Sequence, residues 1–315
     1  MSTLILLPHL RIENANTVAG LTWGFPAITH FLGYMHALSR KLALSHGLTL
    51  TGCGVICHQH QVHAYSSGRD YQFALTRNPL TREGKTASFN EEGRMHLTVS
   101  LLLECHGEIL HGDQGKSALE AHLQSLCQTQ RLAGGTVTGL GGVKVIPRPQ
   151  TDAERRRLLF RLLPGYALID RSPWLEEHHQ KRLSQDPQAT LLDAWLDFAA
   201  LKIESQPGAA NEASGDVPWN YVSKPQRGYL VPLMIGYQRI SECFVPGDVA
   251  NARDTRTPFA YVEPVYGVGE WRGLHRIHSL DEMFWRYRTT DTGYYCCGVM
   301  PAEETTSQDD EINYE

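Results

Sequence analysis

The sequence of 315 residues contains no long apolar run. No stretch reaches the roughly 18 apolar residues that a membrane-spanning helix needs. The first residues, MSTLILLPHLRIENAN, lack a basic leading segment and a small-residue cleavage site, so we expect no secretory signal. The seven cysteines are odd in number and show no zinc-finger spacing, which favours reduced thiols. We therefore expect a cytoplasmic protein that makes no contact with a membrane.

The sequence also lacks the short motifs of common enzymes. It has no HExxH and no GxSxG, and no GKS or GKT follows the glycine stretch at 134–142. That stretch is either a flexible turn or a loop that a phosphate can approach. A strand over 57–63 (CHQHQVH) would place His58 and His60 on one face, but no carboxylate lies nearby in sequence to complete a zinc site. We predict no metal and no cofactor.

Charged residues make up 20% of the sequence and are unevenly distributed along it. The formal net charge is −5, from 29 basic and 34 acidic residues. Six acidic residues and no Lys or Arg lie in the tail 301–315, which leaves 29 basic and 28 acidic residues elsewhere. This balance argues against a protein that coats nucleic acid non-specifically, but it allows a local basic groove. We interpret the tail as an acidic disordered segment.

Residues 1–150 show a regular order of elements. The polar segment 66–94 predicts a long hairpin or an extended loop between two strands. The whole order predicts an α+β fold of the ferredoxin-like or RRM-like type, an antiparallel sheet with helices on one face and the other face free to bind. By apolar period, the predicted elements are strands at Leu4–Ile12, Leu48–Ala64, Met95–Cys105 and Thr136–Thr138, and helices at Ala27–Leu44 and Lys116–Leu132.

Residues 151–300 are less regular and predict a second α+β region. Ser279 is predicted to cap a helix that begins at Leu280, with Glu282 in its first turn. The segment 205–217 is predicted to be a flexible loop. The other predicted elements are helices at Asp152–Leu163, Trp174–Arg182 and Leu191–Ile203, a strand at Tyr166–Asp170, and strand-like runs between Tyr229 and Tyr266.

Several predicted loops combine residue types that suit single-stranded RNA. Arg contacts phosphates, amides read base edges and aromatic rings stack on bases. The hairpin tip 77–85 (RNPLTREGK) and the loop 251–256 (NARDTR) carry Arg and Asn, although solvated loops are commoner than binding loops. Trp23 is a candidate stacking ring, with a core position as the ordinary alternative. The arginines of the helix at 152–163 fit an RNA backbone, an acidic partner or a solvated face.

Seven segments of the sequence together resemble one known family. They are LLPHLRIENANT, LTWGFPAITHFLGYMHAL, LTRNPLTREG, EEGRMHLTVSLLLECHG, RLAGG, RRLLFRLLPGYALIDR and NARDTRTPFAYVEPVYGVGEW. In this order they are similar to the second Csy protein of type I-F CRISPR systems, a family of the RAMP superfamily. The resemblance covers about residues 4–285.

The resemblance implies an RRM-like body with a β-hairpin thumb at about 66–94. It implies a stable heterodimer with the large subunit of the CRISPR surveillance complex, next to a backbone RAMP subunit. The pair would hold the 5′ handle of the guide RNA (crRNA), a single strand of about eight nucleotides. Target DNA would be met only indirectly, because guide pairing reads its sequence. Another subunit processes the guide, so no catalytic residue is expected.

On this basis we take the candidate RNA contacts from loops and hairpin tips within the matching segments. An endoribonuclease remains the alternative, with His30, His36 or His58 as general base. A protein–protein adaptor that makes no RNA contact is a further alternative. The candidate contacts are Asn14, Asn16, Trp23, Arg77, Asn78, Arg82, Arg131, Asn251, Arg253 and Arg256.

Overall fold

A computed structural model of the chain describes residues 3–68, 70–77, 79–205, 218–252 and 254–298. The predicted loop at 205–217, apart from its first residue, and the predicted acidic tail lie outside the described residues. Within the described part the fold is mixed α+β, with five α-helices and a large sheet whose strand pairs are all antiparallel. The α+β prediction is therefore confirmed.

The helices and strands are numbered in the order in which they follow one another along the chain. The helices are α1 (Ile28–His46), α2 (Gly112–Gln128), α3 (Asp152–Phe160), α4 (Ser172–Leu183) and α5 (Leu191–Ala199). The strands are β1 (Thr3–Asn16), β2 (Val18–Ala19), β3 (Thr22–Trp23), β4 (Thr49–Val62), β5 (Ala64–Ser67), β6 (Asp70–Phe73), β7 (Leu75–Arg77), β8 (Phe89–Glu91), β9 (Arg94–His106), β10 (Arg131–Leu132), β11 (Gly135–Gly139), β12 (Lys144–Pro147), β13 (Tyr166–Asp170), β14 (Ile203–Ser205), β15 (Trp219–Tyr221), β16 (Leu230–Arg239), β17 (Val262–Gly273), β18 (Phe284–Thr290) and β19 (Gly293–Cys297).

One face of β1, β9 and β4 packs against α1 and α2. Side chains alternate along a strand, so Ile5 and Leu7 face this core. Phe31 and Met35 of α1 are fully buried in the same core, and each such side chain contributes about 1.5–3 kcal/mol by burial. Helix α1 ends where Gly47 adopts the left-handed conformation, with φ of 65°.

The opposite face of the same strands is also covered. Leu4 and Ile56 point to this side and join a second core with Leu158 and Leu162 from α3 and the turn after it. The residues from Leu274 to Phe284 complete that core. The prediction that all helices lie on one face and leave the other free is therefore wrong here. The amphipathic 152–163 segment supplies the apolar side chains that close the second face.

The large sheet closes into a ring of six strands. Strand β4 pairs with β9 along one edge, and its other edge pairs with both β13 and β18. The ring runs β4–β13–β17–β16–β19–β18 and back to β4. Trp285 is fully buried, and its indole Nε1 donates to the carbonyl of Leu168 at 2.8 Å. The large sheet contains strands from both sides of residue 150, so it marks no boundary at that point. The division into regions 1–150 and 151–300 stays a prediction.

A buried carboxylate joins early and late parts of the chain. Glu104 on β9 accepts hydrogen bonds from Arg148 and Arg286, each at 2.6 Å, and Arg148 also pairs with Asp281. The Glu104 side chain is only 8% exposed. A charge that is removed from water needs such partners, so these groups are fixed in relative position.

A second charged cluster connects α4 and α5. Asp197 accepts hydrogen bonds from Lys202, from His178 at 2.7 Å and from Arg182 at 2.8 Å. Burial alone raises the pKa of Asp197, but the three donors outweigh it and lower the pKa to about 2. Helix α5 therefore stays attached to α4 by a carboxylate that remains ionised down to low pH.

Two elements differ from the predictions made near them. The segment 66–94 holds two short ladders, β5 with β6 and β7 with β8, in place of one long hairpin. The helix predicted from Leu280 is a single 3₁₀ turn, Asp281–Met283. Ser279 and Glu282 make the expected capping contacts, but Phe284 pairs with Gly54 and continues as strand.

Candidate nucleic-acid interface

A cavity of about 530 Å³ opens where β4, β13, β16 and β17 meet the segment 19–25. Its volume lies within the roughly 300–1,000 Å³ of pockets that hold small organic ligands. Five aromatic rings belong to its lining, and among the described residues that line it none is Asp, Glu, Lys or Arg. The aromatic residues are Trp23, Phe25, Tyr166, Tyr229 and Trp271.

Of these five rings, Phe25 and Trp271 pack against each other, and the other three are accessible to water. Phe25 meets Trp271 edge to face, with ring centroids 4.8 Å apart. The exposed fractions of Trp23, Tyr166 and Tyr229 are 48%, 59% and 71%. Rings that remain this accessible contribute little to the core and are available to a flat ligand.

The local sequence fixes Trp23 at this position. The side chain of Asn16 accepts from the backbone N–H of Val18 and donates to the carbonyl of the same residue. Val18 then pairs with Trp23 in the short β2–β3 ladder. The turn between them contains Gly20, with φ of 63°, where a side chain would collide with the Tyr266 hydroxyl. Asn16 therefore positions Trp23, because its own polar atoms are already bonded.

Trp23 also connects the cavity to the segment between β4 and β9. Its ring meets Phe73 edge to face at 5.3 Å and Tyr71 at 5.8 Å. The Tyr71 ring is 67% exposed. The backbone N–H of Phe73 donates to Glu91 at 2.8 Å, which ties the β5–β6 ladder to the β7–β8 ladder. A row of accessible rings thus runs from residues 66–94, the segment inserted between β4 and β9, to the cavity.

Residues with hydrogen-bonding side chains also line the cavity. Burial raises the pKa of the Cys57 thiol to about 11, so it stays protonated at neutral pH. The lining includes His60, Tyr166 and Tyr229, whose side chains can each donate or accept a hydrogen bond. The cavity therefore combines flat apolar walls with a few hydrogen-bonding side chains.

A polar cluster lies beside the start of the inserted segment. The backbone N–H of Asn14 donates to Nδ1 of His96, and Arg94 donates to the Asn14 carbonyl. Arg94 is also paired with Glu92 at 2.6 Å. Burial and the neighbouring His96 ring lower the pKa of His63. The register of β1 against β9 shifts between Ile12 and Ala15, beside this cluster.

The candidate contacts fall into separate groups. Asn14 and Asn16 of β1 lie near Arg131 of β10, because β11 pairs with both strands. Arg131 is exposed, as is Arg82, which lies in a turn closed by the hydrogen bond from Thr81 to the Lys85 carbonyl.

The remaining candidates lie in two other places. Arg77 is on β7, and Asn78 follows it outside the described residues. Asn251 and Arg256 are exposed on the loop that joins β16 to β17, and Arg253 lies outside the described residues. The Arg256 side chain is 92% exposed. Among the candidate contacts that the structure describes, only Trp23 lines the cavity.

The three histidines considered as general bases have constrained surroundings. The Pro164 carbonyl accepts from Nδ1 of His58, so Nε2 accepts from the Ser100 hydroxyl at 2.7 Å. Burial lowers the pKa of His58 and of His30. Burial and Arg40 lower the pKa of His36, whose Nδ1 meets the Tyr287 hydroxyl.

Within the described ranges, no three His, Cys, Asp or Glu side chains come together as a metal site. In the same ranges, no helix is long and apolar enough to span a membrane.

Sequence reasoning missed most of the cavity. Tyr166, Tyr229 and Trp271 come from distant segments, and His60 was considered only as a metal ligand. Tyr166 stands directly after Pro164–Gly165 in a segment that matches the resembling family, which was the one available signal.

Comparison with known proteins identifies the class. The family model described as CRISPR-associated protein (Cas_Csy2) matches residues 5–297. CRISPR-associated protein Csy2 of Pseudomonas aeruginosa (strain UCBPP-PA14) is 39% identical over 310 residues, which cover 93% of this chain and 94% of that protein. The chain belongs to the Csy2 family of CRISPR-associated proteins. Membership implies a subunit of the type I-F Csy complex.

Proposed function

We propose that the chain is a non-catalytic, RNA-binding subunit that holds the 5′ handle of the crRNA. The observation that carries this proposal is the uncharged cavity with three water-accessible rings, in a chain of the Csy2 family. Proteins recognise single-stranded RNA by stacking splayed bases on aromatic rings and by bonding base edges. The cavity supplies both kinds of contact.

The finer architecture belongs to the same proposal. Residues 1–150 form an RRM-like RAMP body, and the inserted segment 66–94 acts as its thumb. The exposed Arg82 and Arg131 contact phosphates of the handle, and Arg77 and Arg253 stay candidate phosphate contacts. The chain pairs with the large subunit, adjoins a backbone RAMP subunit and meets target DNA only through the assembled complex in the cytoplasm.

A binding role suits the histidines better than RNA cleavage. General-base catalysis needs an accessible ring nitrogen within reach of a 2′-hydroxyl. Both ring nitrogens of His58 are bonded to Pro164 and Ser100, and Nδ1 of His30 is buried without a hydrogen-bond partner among the described residues. These surroundings favour structural roles for both residues.

The test is co-expression of the chain with the large subunit and a guide RNA. The complex is purified at moderate salt, because phosphate contacts weaken as salt rises. We expect a stoichiometric complex with an intact guide that is lost when the 5′ handle is scrambled. A complex that forms without RNA would indicate an adaptor. Guide cleavage with turnover, abolished by His30→Ala, His36→Ala or His58→Ala, would indicate a nuclease.

A further inference from the structure

The side chains that line the cavity limit the kind of chemical group that it can hold. Its lining carries no formally charged side chain of the Asp, Glu, Lys or Arg type in the described residues, and the Cys57 thiol is protonated. A phosphate or carboxylate placed inside would lose water without a counter-charge, which is costly. The occupant is therefore a neutral group, and charged parts of its molecule stay outside the mouth.

The shape of the lining favours a flat occupant. Phe25 and Trp271 meet edge to face within the lining, and Trp23, Tyr166 and Tyr229 expose their rings. Aromatic surfaces gain most from a planar ring in offset or edge contact. Trp23 also touches the inserted segment, so a chain that follows that segment reaches the cavity directly.

Polar groups in the lining favour a heterocycle over an aliphatic side chain. The Tyr166 and Tyr229 hydroxyls and the His60 imidazole can each donate or accept a hydrogen bond. An aliphatic side chain from a protein partner would cover these groups without bonding them. A nucleobase offers donors and acceptors along its edge and two flat faces.

We propose that the cavity holds one unpaired nucleobase of the bound RNA, turned out of the strand. The base stacks against the exposed ring of Tyr229, and its edge bonds the polar groups of the lining. Its ribose and phosphate remain at the mouth, where they meet solvent and the inserted segment. This inference rests on the proposed function, since it assigns one handle nucleotide to one site.

The experiment uses the assembled complex with the full-length chain. Synthetic guides carry one abasic nucleotide at a time through the 5′ handle, and each competes with a labelled intact guide. The variants are Tyr229→Ala, Tyr229→Phe and the matched control Tyr221→Ala. Tyr221 is 72% exposed against 71% for Tyr229, but it lies on β15 and does not line the cavity.

We expect one abasic position to weaken binding to the wild-type complex by roughly 5- to 150-fold, the range of one base stacked on an aromatic ring. Tyr229→Ala should weaken binding of the intact guide by a similar factor. In that variant the same abasic position should then cause no further loss. Tyr229→Phe should keep most of the affinity because the ring remains, and Tyr221→Ala should bind as the wild type.

Other outcomes overturn the inference. If Tyr229→Ala binds all guides as the wild type does, or loses affinity equally on top of every abasic change, the cavity holds no base. If Tyr229→Ala instead prevents subunit assembly before RNA is added, a protein side chain occupies it. The proposed function survives these results if the handle is still required. It fails separately if the wild-type complex binds a scrambled handle equally well.

Discussion

Two sets of aromatic residues in this chain have opposite surroundings. Phe284 and Trp285 at the start of β18 are fully buried, one in each of the two cores. Trp23, Tyr166 and Tyr229 around the cavity are 48–71% exposed. The first set uses its apolar area for folding, while the second keeps that area accessible. Accessible rings clustered at a cavity are a feature of binding sites, so the comparison separates stability from recognition.

The largest effect expected from this comparison is that of Trp285→Ala. The change removes a fully buried ring and its hydrogen bond to the Leu168 carbonyl. We expect the free energy of unfolding to fall by about 3–5 kcal/mol, measured by urea denaturation. The control Trp219→Ala, at a ring that is 63% exposed, should change it by about 0.5 kcal/mol or less. Equal losses at the two positions would contradict the contrast.

The buried carboxylate extends the same contrast to charged groups. Glu104→Gln leaves Arg148 and Arg286 without their shared counter-charge, so we expect a loss of about 3 kcal/mol. The control is Glu92→Gln, which breaks a pair of the same 2.6 Å length with Arg94 on a side chain that is 30% exposed. It should cost less than about 1 kcal/mol in the same denaturation experiment. A cost for Glu92 that matches Glu104 would refute the role of burial.

Acid should weaken the α4–α5 attachment over a defined range. The pKa of Asp197 is lowered from 3.8 to about 2, so its contribution is present above about pH 4 and disappears as pH falls toward 2. The shift corresponds to about 2 kcal/mol. We expect the stability difference between wild type and Asp197→Asn to shrink over that range, as followed by denaturation at several pH values. A difference that stays constant from pH 4 to pH 2 would contradict this assignment.

The smallest effect expected is on stability at the cavity mouth. Tyr229→Ala removes a ring that is 71% exposed, so the unfolding free energy should change by about 0.5 kcal/mol or less. Thermal denaturation of the purified variant measures this. A loss near that of Trp285→Ala would show that the ring serves the fold, and the contrast between the two sets would disappear.

Local patterns predicted the local elements well. Strand β13 begins at Tyr166 and ends at Asp170 as predicted, and α1 lies within two residues of its predicted limits, because each has a clear apolar period. The helix expected after Ser279 failed for a long-range reason. Phe284 and Trp285 are drawn into pairing with Gly54 and Cys53, and that pairing overrides the capping signal.

The cavity was beyond prediction from sequence for the same physical reason. Its rings come from four separate segments, and no spacing along the chain shows that they meet. Trp23 was predicted because it lies in a loop of a matching segment, whereas Trp271 lies within a strand whose pattern indicates only burial. Asn16 as an RNA contact stays a prediction, and its amide is bonded to Val18 in the turn that carries Trp23.

The closure of the ring sets an order of events during synthesis. Cys53 and Gly54 in the middle of β4 cannot pair with Trp285 and Phe284 until these residues leave the ribosome, more than 200 residues later. At bacterial elongation rates that interval is on the order of tens of seconds. During this time part of a strand edge is without its partner, and unpaired edges promote association between chains. The lining of the cavity is likewise incomplete until Trp271 has been synthesised.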